Sequence, residues 1–239
     1  MSMRIGCDID GVLADFRAGF FKMAAQVLGR TRSDSLDDLD AVSEADSRRV
    51  WKAITQTPNW WLGLAPYEPV EIARLYRLSR EHKWEVFFMT TRVPTAGESV
   101  QFQTQWWLEQ QGFYLPSVFT VLGSRGELAN SLRLDLLVDD QMLNCAEVIG
   151  ASKSKALLLL RTPKSDLQKQ ARSAGIGVVE TLAEAIDVLE RLHELGPTRR
   201  RSLTKLSDWF SGRENMQKTT LPINPRAVRP LGGTEHPQE

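Results

Sequence analysis

"RIGCDIDGVLADF", residues 4–16, is the stretch whose reading decides the fold. Residues 4–8 form a short apolar run of the kind that suits a parallel strand buried on both faces. The run ends in Asp8, and Asp10 and Gly11 follow before apolar residues resume. Two residues apart, Asp8 and Asp10 lie on the same side of an extended chain. Carboxylates gathered this closely raise one another's pKa unless a cation joins them. Gly11 permits a sharp backbone turn, so that a main-chain carbonyl can face the same cation. A purely structural strand has little use for this arrangement, whereas an enzyme that handles phosphate and a hard metal ion has several.

Further short apolar runs follow at "WEVFFMT" (84–90), "LDLLVDD" (134–140), "KALLLL" (155–160) and "IGVVE" (176–180). Helical patterns separate them. "PVEIARLYRLSREH" (69–82) places Val70, Ala73, Leu75 and Leu78 near one stripe, and "ESVQFQTQWWLEQQGF" (98–113) carries Gly112 as a C-cap. "TLAEAIDVLERLHELGP" (181–197) opens with Thr181 and Glu184 as a capping box and stops at Gly196-Pro197. Strand–helix alternation predicts an α/β fold, a doubly wound, Rossmann-like and mostly parallel sheet, built from residues 1–14 and 66–196. More than 70 residues separate the first strand from "WEVFFMT", far more than one crossover helix needs. Residues 15–65 therefore read as a small helical cap inserted after the first strand. Residues 197–239 form a C-terminal tail with eight Lys/Arg and four Asp/Glu, expected to be basic and disordered.

Composition narrows the function classes. The chain has 239 residues and a formal net charge of zero, so no global field draws it to nucleic acid or membrane. Its two cysteines, Cys7 and Cys145, sit in apolar runs without CxxC spacing and read as reduced thiols. With no leader pattern and no apolar run long enough for a bilayer, the expected location is cytoplasmic.

Ligands of open α/β sheets bind beyond the carboxyl ends of the strands. Those ends carry Asp8 and Asp10, then Thr90, Thr91 and Arg92, then Asp139 and Asp140. Mg²⁺ fits such a rim because it takes oxygen ligands in a tight octahedron and accepts carboxylates together with phosphate. His82, His193 and His236 are scattered and give no zinc spacing. Asp139 and Asp140 can alternatively cap a helix starting near Gln141. Arg92 can reach the phosphate or a second anionic group. Trp60 and Trp61 suit packing within the cap better than a stacking platform, and Trp106 and Trp107 suit core or partner contact.

"DIDGVLADF", "FFMTTR" and "LDLLVDD", in this order, resemble the motifs of the haloacid dehalogenase superfamily of phosphohydrolases. "DIDGVLADFRAGF" and "NWWLGLAPYEPVEIARL" are similar to the 5'(3')-deoxyribonucleotidase branch, and the resemblance spans residues 4 to about 190. It implies an Mg²⁺-dependent phosphatase acting on a small phosphorylated metabolite, a nucleotide being the leading substrate. Asp8 would be the nucleophile and Asp10 the general acid and base. Thr90 would hold a phosphoryl oxygen, with Thr91 and Arg92 beside it. Asp8, Asp10 through its carbonyl, and Asp139 would bind Mg²⁺, with Asp140 behind them or as an alternative ligand. Where the family carries a lysine or arginine, the match is Arg125, with Arg133 competing. The resemblance also implies that Phe16, Phe20, Trp60 and Trp61 could stack on a base. Two other readings are a nucleic-acid end phosphatase that uses the basic tail, and a catalytically weak phosphate-binding regulatory protein.

Overall fold

The structure, a computed structural model, describes residues 2–29 and 42–196. Most of the acidic stretch in the expected cap and the whole of the expected disordered tail lie outside the described residues. Six strands form one parallel sheet: β1 (Arg4–Asp8), β2 (Glu85–Thr90), β3 (Ser117–Thr120), β4 (Leu136–Asp139), β5 (Lys155–Leu159) and β6 (Gly177–Val179). Their order across the sheet is β3-β2-β1-β4-β5-β6. The chain winds outward from β1 through β2 to β3, then returns to pair β4 on the other side of β1. The crevice between the carboxyl ends of β1 and β4 is thus the point where winding reverses, the usual ligand site in such sheets.

Five of these strands are the apolar runs of the sequence, and β3 is an addition. It has four residues at the sheet edge, with Ser117 and Thr120 exposed. An edge strand covered on fewer sides needs no continuous apolar run, which is why "SVFT" did not stand out.

Helices α1 (Phe16–Leu28), α2 (Glu44–Gln56), α3 (Pro69–Glu81), α4 (Val100–Gln110), α5 (Arg125–Leu132), α6 (Met142–Ala151), α7 (Ser165–Ser173) and α8 (Leu182–Glu194) complete the described secondary structure, with one 3-10 turn at Trp60–Gly63. None is long and apolar enough to cross a membrane. Alternation along the strands feeds two cores. Ile5, Cys7, Leu136, Val138, Leu157 and Leu159 pack with Ile72 and Leu75 of α3 and Ile186 and Leu189 of α8. On the other face Leu137 and Met89 meet Ala129 of α5 and Val148 of α6, while Ala156 and Leu158 meet Cys145 and Ala171. Each fully buried Leu or Ile contributes about 1.5–3 kcal/mol, and both faces are covered.

The stripe of α3 differs from the sequence reading. Ile72, Leu75 and Leu78 are buried, whereas Val70 and Ala73 are exposed. Val70 and Ala73 share one side of the helix with exposed Arg77, opposite the side that carries Ile72, Leu75 and Ser79. On α8 the Thr181 side chain accepts from the Glu184 N–H at 3.1 Å, as the capping box requires. Glu68 reinforces that terminus by accepting from the Leu182 and Ala183 N–H groups at 2.9 and 3.3 Å. Trp107 is fully buried and donates to the Leu64 carbonyl at 2.8 Å, while Trp106 remains 44% exposed.

Within residues 15–65 the described part holds α1, α2 and the 3-10 turn. Phe20, Ala24, Val50 and Ile54 form a small core of their own between α1 and α2. The chain leaves and re-enters the sheet region side by side: the Asp15 N–H donates to the Ala65 carbonyl at 2.8 Å, and the Tyr67 N–H to Leu13 at 2.9 Å.

Candidate active site

Beyond β1 the chain makes one tight turn in which the Ile9 carbonyl accepts from both Leu13 and Ala14 N–H at 2.8 Å. Gly11 in this turn has φ +87°, a left-handed conformation that disfavours any side chain. The turn brings Asp10 back toward the strand ends, over a cavity of about 730 Å³. That cavity is lined by Asp8, Asp10, Thr90, Thr91, Arg92, Arg125 and Asp140, among others, so the strand-end residues of the sequence converge. Asp139 sits just beneath, fully buried.

One carboxylate oxygen from each of Asp8, Asp139 and Asp140 lies within 4.8 Å of the other two. The cation among them is Arg125, whose Nη1 lies 2.7 Å from Asp8 Oδ1 and 2.6 Å from Asp139 Oδ2. Its Nη2 donates to Thr91 Oγ1 at 3.2 Å, and its backbone N–H to Glu147 at 3.1 Å. Arg125 opens α5 at the position matched to the family cation, and it reaches the site; Arg133 instead ends α5 as its left-handed C-cap.

The electrostatics follow from this crowding. Burial, then the Asp139 charge, pushes the Asp8 carboxyl well above the ordinary range, with Arg125 opposing. Burial raises Asp139 too, against the pull of Arg125 and of hydrogen bonds from the Gln141 N–H and Asn144. Burial and the Asp139 charge push Asp140 up to about 7. Burial disfavours the Arg125 charge, but Asp8 and Asp139 more than offset it and raise its pKa. Three carboxylates facing one guanidinium leave a negative excess that a divalent cation neutralises, and all three offer the hard oxygen donors that Mg²⁺ takes. The residues present therefore fit such an ion.

Asp10 is oriented differently. Its carboxylate is outside that group and instead receives Arg92, Nε to Oδ2 at 2.9 Å and Nη2 to Oδ1 at 2.8 Å. The Thr90 hydroxyl lies 3.4 Å from Asp10 Oδ2. Trp61 is buried against Arg92 and donates from Nε1 to the Val93 carbonyl at 2.9 Å. Phe16 stacks between Trp51 and Trp61 at centroid distances of 5.7 and 6.1 Å, and all three line the cavity. Trp60 and Phe20 belong to the packing of α1 against α2.

Sequence reading passed over several residues. Asn144, on the first turn of α6, donates from Nδ2 to both oxygens of Asp139 at 3.0 and 3.2 Å. Thr104 is wholly buried on α4 and accepts from Arg92 Nη1 at 3.1 Å. A polar residue on a core-facing stripe needs a partner, and that is the signal which could have found it. Arg161, just past β5, donates to the Gly11 carbonyl at 3.2 Å, the Val12 carbonyl at 2.6 Å and Glu68 at 2.7 Å. Its guanidinium lies 3.8 Å from the Tyr67 ring centroid.

No protein-family model and no curated protein matches the sequence. Solved structures do match. A haloacid dehalogenase-like hydrolase from Streptococcus pneumoniae is 11% identical, with 79% of this chain and 98% of that one covered and a TM-score of 0.51. A phosphonoacetaldehyde hydrolase-like protein from Oleispira antarctica is 15% identical, with 85% and 95% covered and a TM-score of 0.52. A hydrolase from Deinococcus radiodurans, solved with bound phosphate and sodium, is 14% identical, with 82% and 98% covered and a TM-score of 0.52. At these identities the likeness is one of fold, and the fold of this chain is that of the haloacid dehalogenase-like hydrolases.

Proposed function

We propose that the protein is a phosphatase that hydrolyses a small phosphate monoester through an aspartyl-phosphate on Asp8. The observation that carries this reading is the meeting of Asp8, Asp139 and Asp140 at the β1–β4 switch point, with Asp10 facing the same cavity. Asp8 attacks phosphorus while Asp10 gives a proton to the departing alkoxide; Asp10 then takes a proton from the water that cleaves the acyl phosphate. Arg125 balances the charge on Asp8, and together with the hydroxyls of Thr90 and Thr91 it offers donors to the phosphoryl oxygens. Asp8, Asp139 and Asp140, with the Asp10 carbonyl, would hold Mg²⁺, which supplies charge neutralisation to the phosphoryl group.

A nucleoside monophosphate is the favoured substrate class. The cavity is much larger than a phosphate, and the rings of Phe16, Trp51 and Trp61 in its wall offer an apolar surface to a base. The resemblance of residues 4–16 to nucleotidases points the same way. Phosphate release should be measured with Mg²⁺ over nucleotides, sugar phosphates and phosphorylated oligonucleotides. Turnover of monoesters that disappears in Asp8→Asn and with a chelator supports the reading, and turnover retained in Asp8→Asn overturns it.

A further inference from the structure

Arg92 is a charged residue whose side chain has no solvent exposure, while that of Asp10 beside it keeps 22%. Every branch of the guanidinium is engaged. Nε and Nη2 take the two oxygens of Asp10 in a fork, and Nη1 donates to Thr104 Oγ1. The Thr104 hydroxyl already donates to the Val100 carbonyl at 2.7 Å, so it meets Arg92 with a lone pair and in one orientation. The guanidinium face lies 4.8 Å from the Trp61 ring centroid. Trp61 is itself held by its bond to Val93 and by Gln103 Oε1, which accepts from its backbone N–H at 3.3 Å. Three separate segments thus converge on one buried cation whose charged partner is Asp10. A side chain this enclosed has little freedom to turn toward a ligand, but its planar fork fixes the plane of the carboxylate it grips.

We infer that Arg92 is the positioning residue for Asp10, orienting it for proton transfer. The inference rests on the phosphatase reading above. The fork uses one lone pair on each carboxylate oxygen, and the Thr90 hydroxyl approaches the second on Oδ2 at 3.4 Å, which leaves the second pair of Oδ1 for a proton on a side chain that lines the cavity. There Asp10 delivers its proton to the bridging oxygen as the P–O bond breaks. The bonding pair stays with that oxygen, and the product leaves as an alcohol. Arg92 does not touch the reacting atoms. Its effect is felt where proton delivery matters, and that depends on the leaving group.

The test compares Arg92→Met, Arg92→Lys and Thr104→Val on 4-nitrophenyl phosphate and on alkyl monoesters (a nucleoside 5'-monophosphate, glycerol 3-phosphate and glucose 6-phosphate). The readout is kcat/KM, which reports the step that expels the leaving group. A nitrophenolate leaves without a proton, whereas an alkoxide needs one. Arg92→Met should lower kcat/KM for the fastest alkyl monoester on the order of 100-fold and change the aryl ester less than about fivefold. Arg92→Lys should fall between, and Thr104→Val should move the ratio in the same direction by less. A folding defect or a lost phosphate contact lowers both substrates alike, so an unchanged ratio in all three variants, with an active wild type, overturns this inference alone. A wild type inert on every ester overturns the phosphatase reading and this inference with it.

Discussion

The carboxylate of Asp140 closes over Gly11 so tightly that a β-carbon at residue 11 would overlap its Oδ2. The glycine that follows Asp10 in the sequence is thus required twice, by its φ of +87° and by a side chain arriving from the end of β4. Gly11→Ala should displace Asp140 as well as strain the turn. Gly29, with φ +64° and nothing near its missing β-carbon, isolates the strain component. Gly29→Ala should cost about 1–2 kcal/mol from backbone conformation alone. Gly11→Ala should cost more and also weaken Mg²⁺ binding, as read by chemical denaturation with and without the ion.

Arg125 stands between Asp8 and Asp139, and its removal leaves two buried carboxylates facing each other. Arg125→Met should destabilise the metal-free protein by about 3–5 kcal/mol, the usual cost of breaking a buried pair. Added Mg²⁺ should recover part of that loss, because the ion replaces the missing charge. Phosphate release should fall at least about 100-fold, since a transition-state donor is lost. Thermal melts and a phosphate assay check both.

Stability of the metal-free protein should fall as pH rises from about 4 to about 7. Asp140 titrates at about 7 in the folded chain against an ordinary 3.8, so between these values the folded state holds a proton that the unfolded state has released. Stability therefore decreases with pH across that window, by up to about 1.4 kcal/mol per pH unit for this group. Asp8 and Asp139 act in the same direction. Asp140→Asn should flatten the slope, and the stabilisation by Mg²⁺ should grow with pH because the ion displaces protons. Melting temperatures between pH 4.5 and 7.5 test this.

Arg161 ties β5 to the turn after β1 through the Gly11 and Val12 carbonyls, and to the start of α8 through Glu68. Arg161→Met should leave those carbonyls without their donor and cost about 1–3 kcal/mol. Because Asp10 rides on the same turn, kcat should drop together with stability. A variant with the expected loss of stability and unchanged kcat would show that the turn holds its shape without the clamp.

Much of this was legible along the chain. The runs at 4–8, 84–90, 134–140, 155–160 and 176–180 are mostly apolar because parallel strands bury both faces, and that pattern survives in one dimension. β3 escaped because an edge strand is not so constrained. Val70 and Ala73 were misplaced for a different reason: they are apolar but lie on the side of α3 opposite Ile72, Leu75 and Ser79, and composition alone does not show which side is buried. Residues 30–41 and 197–239 were readable only as composition.

By itself the sequence determined that Asp8, Asp10, Thr90, Thr91, Arg92, Asp139 and Asp140 end strands of one parallel sheet, since strand ends follow from local periodicity. The resemblance of its motifs pointed to Arg125, with Arg133 competing, as the cation of the site. The pairing of those charges came only from tertiary structure. Arg92 faces Asp10, Arg125 bridges Asp8 and Asp139, and Arg161 holds the Gly11 turn from 150 residues away. Burial excludes water from these groups, so each charge must find its partner in space, and strand order across the sheet determines which partner is within reach.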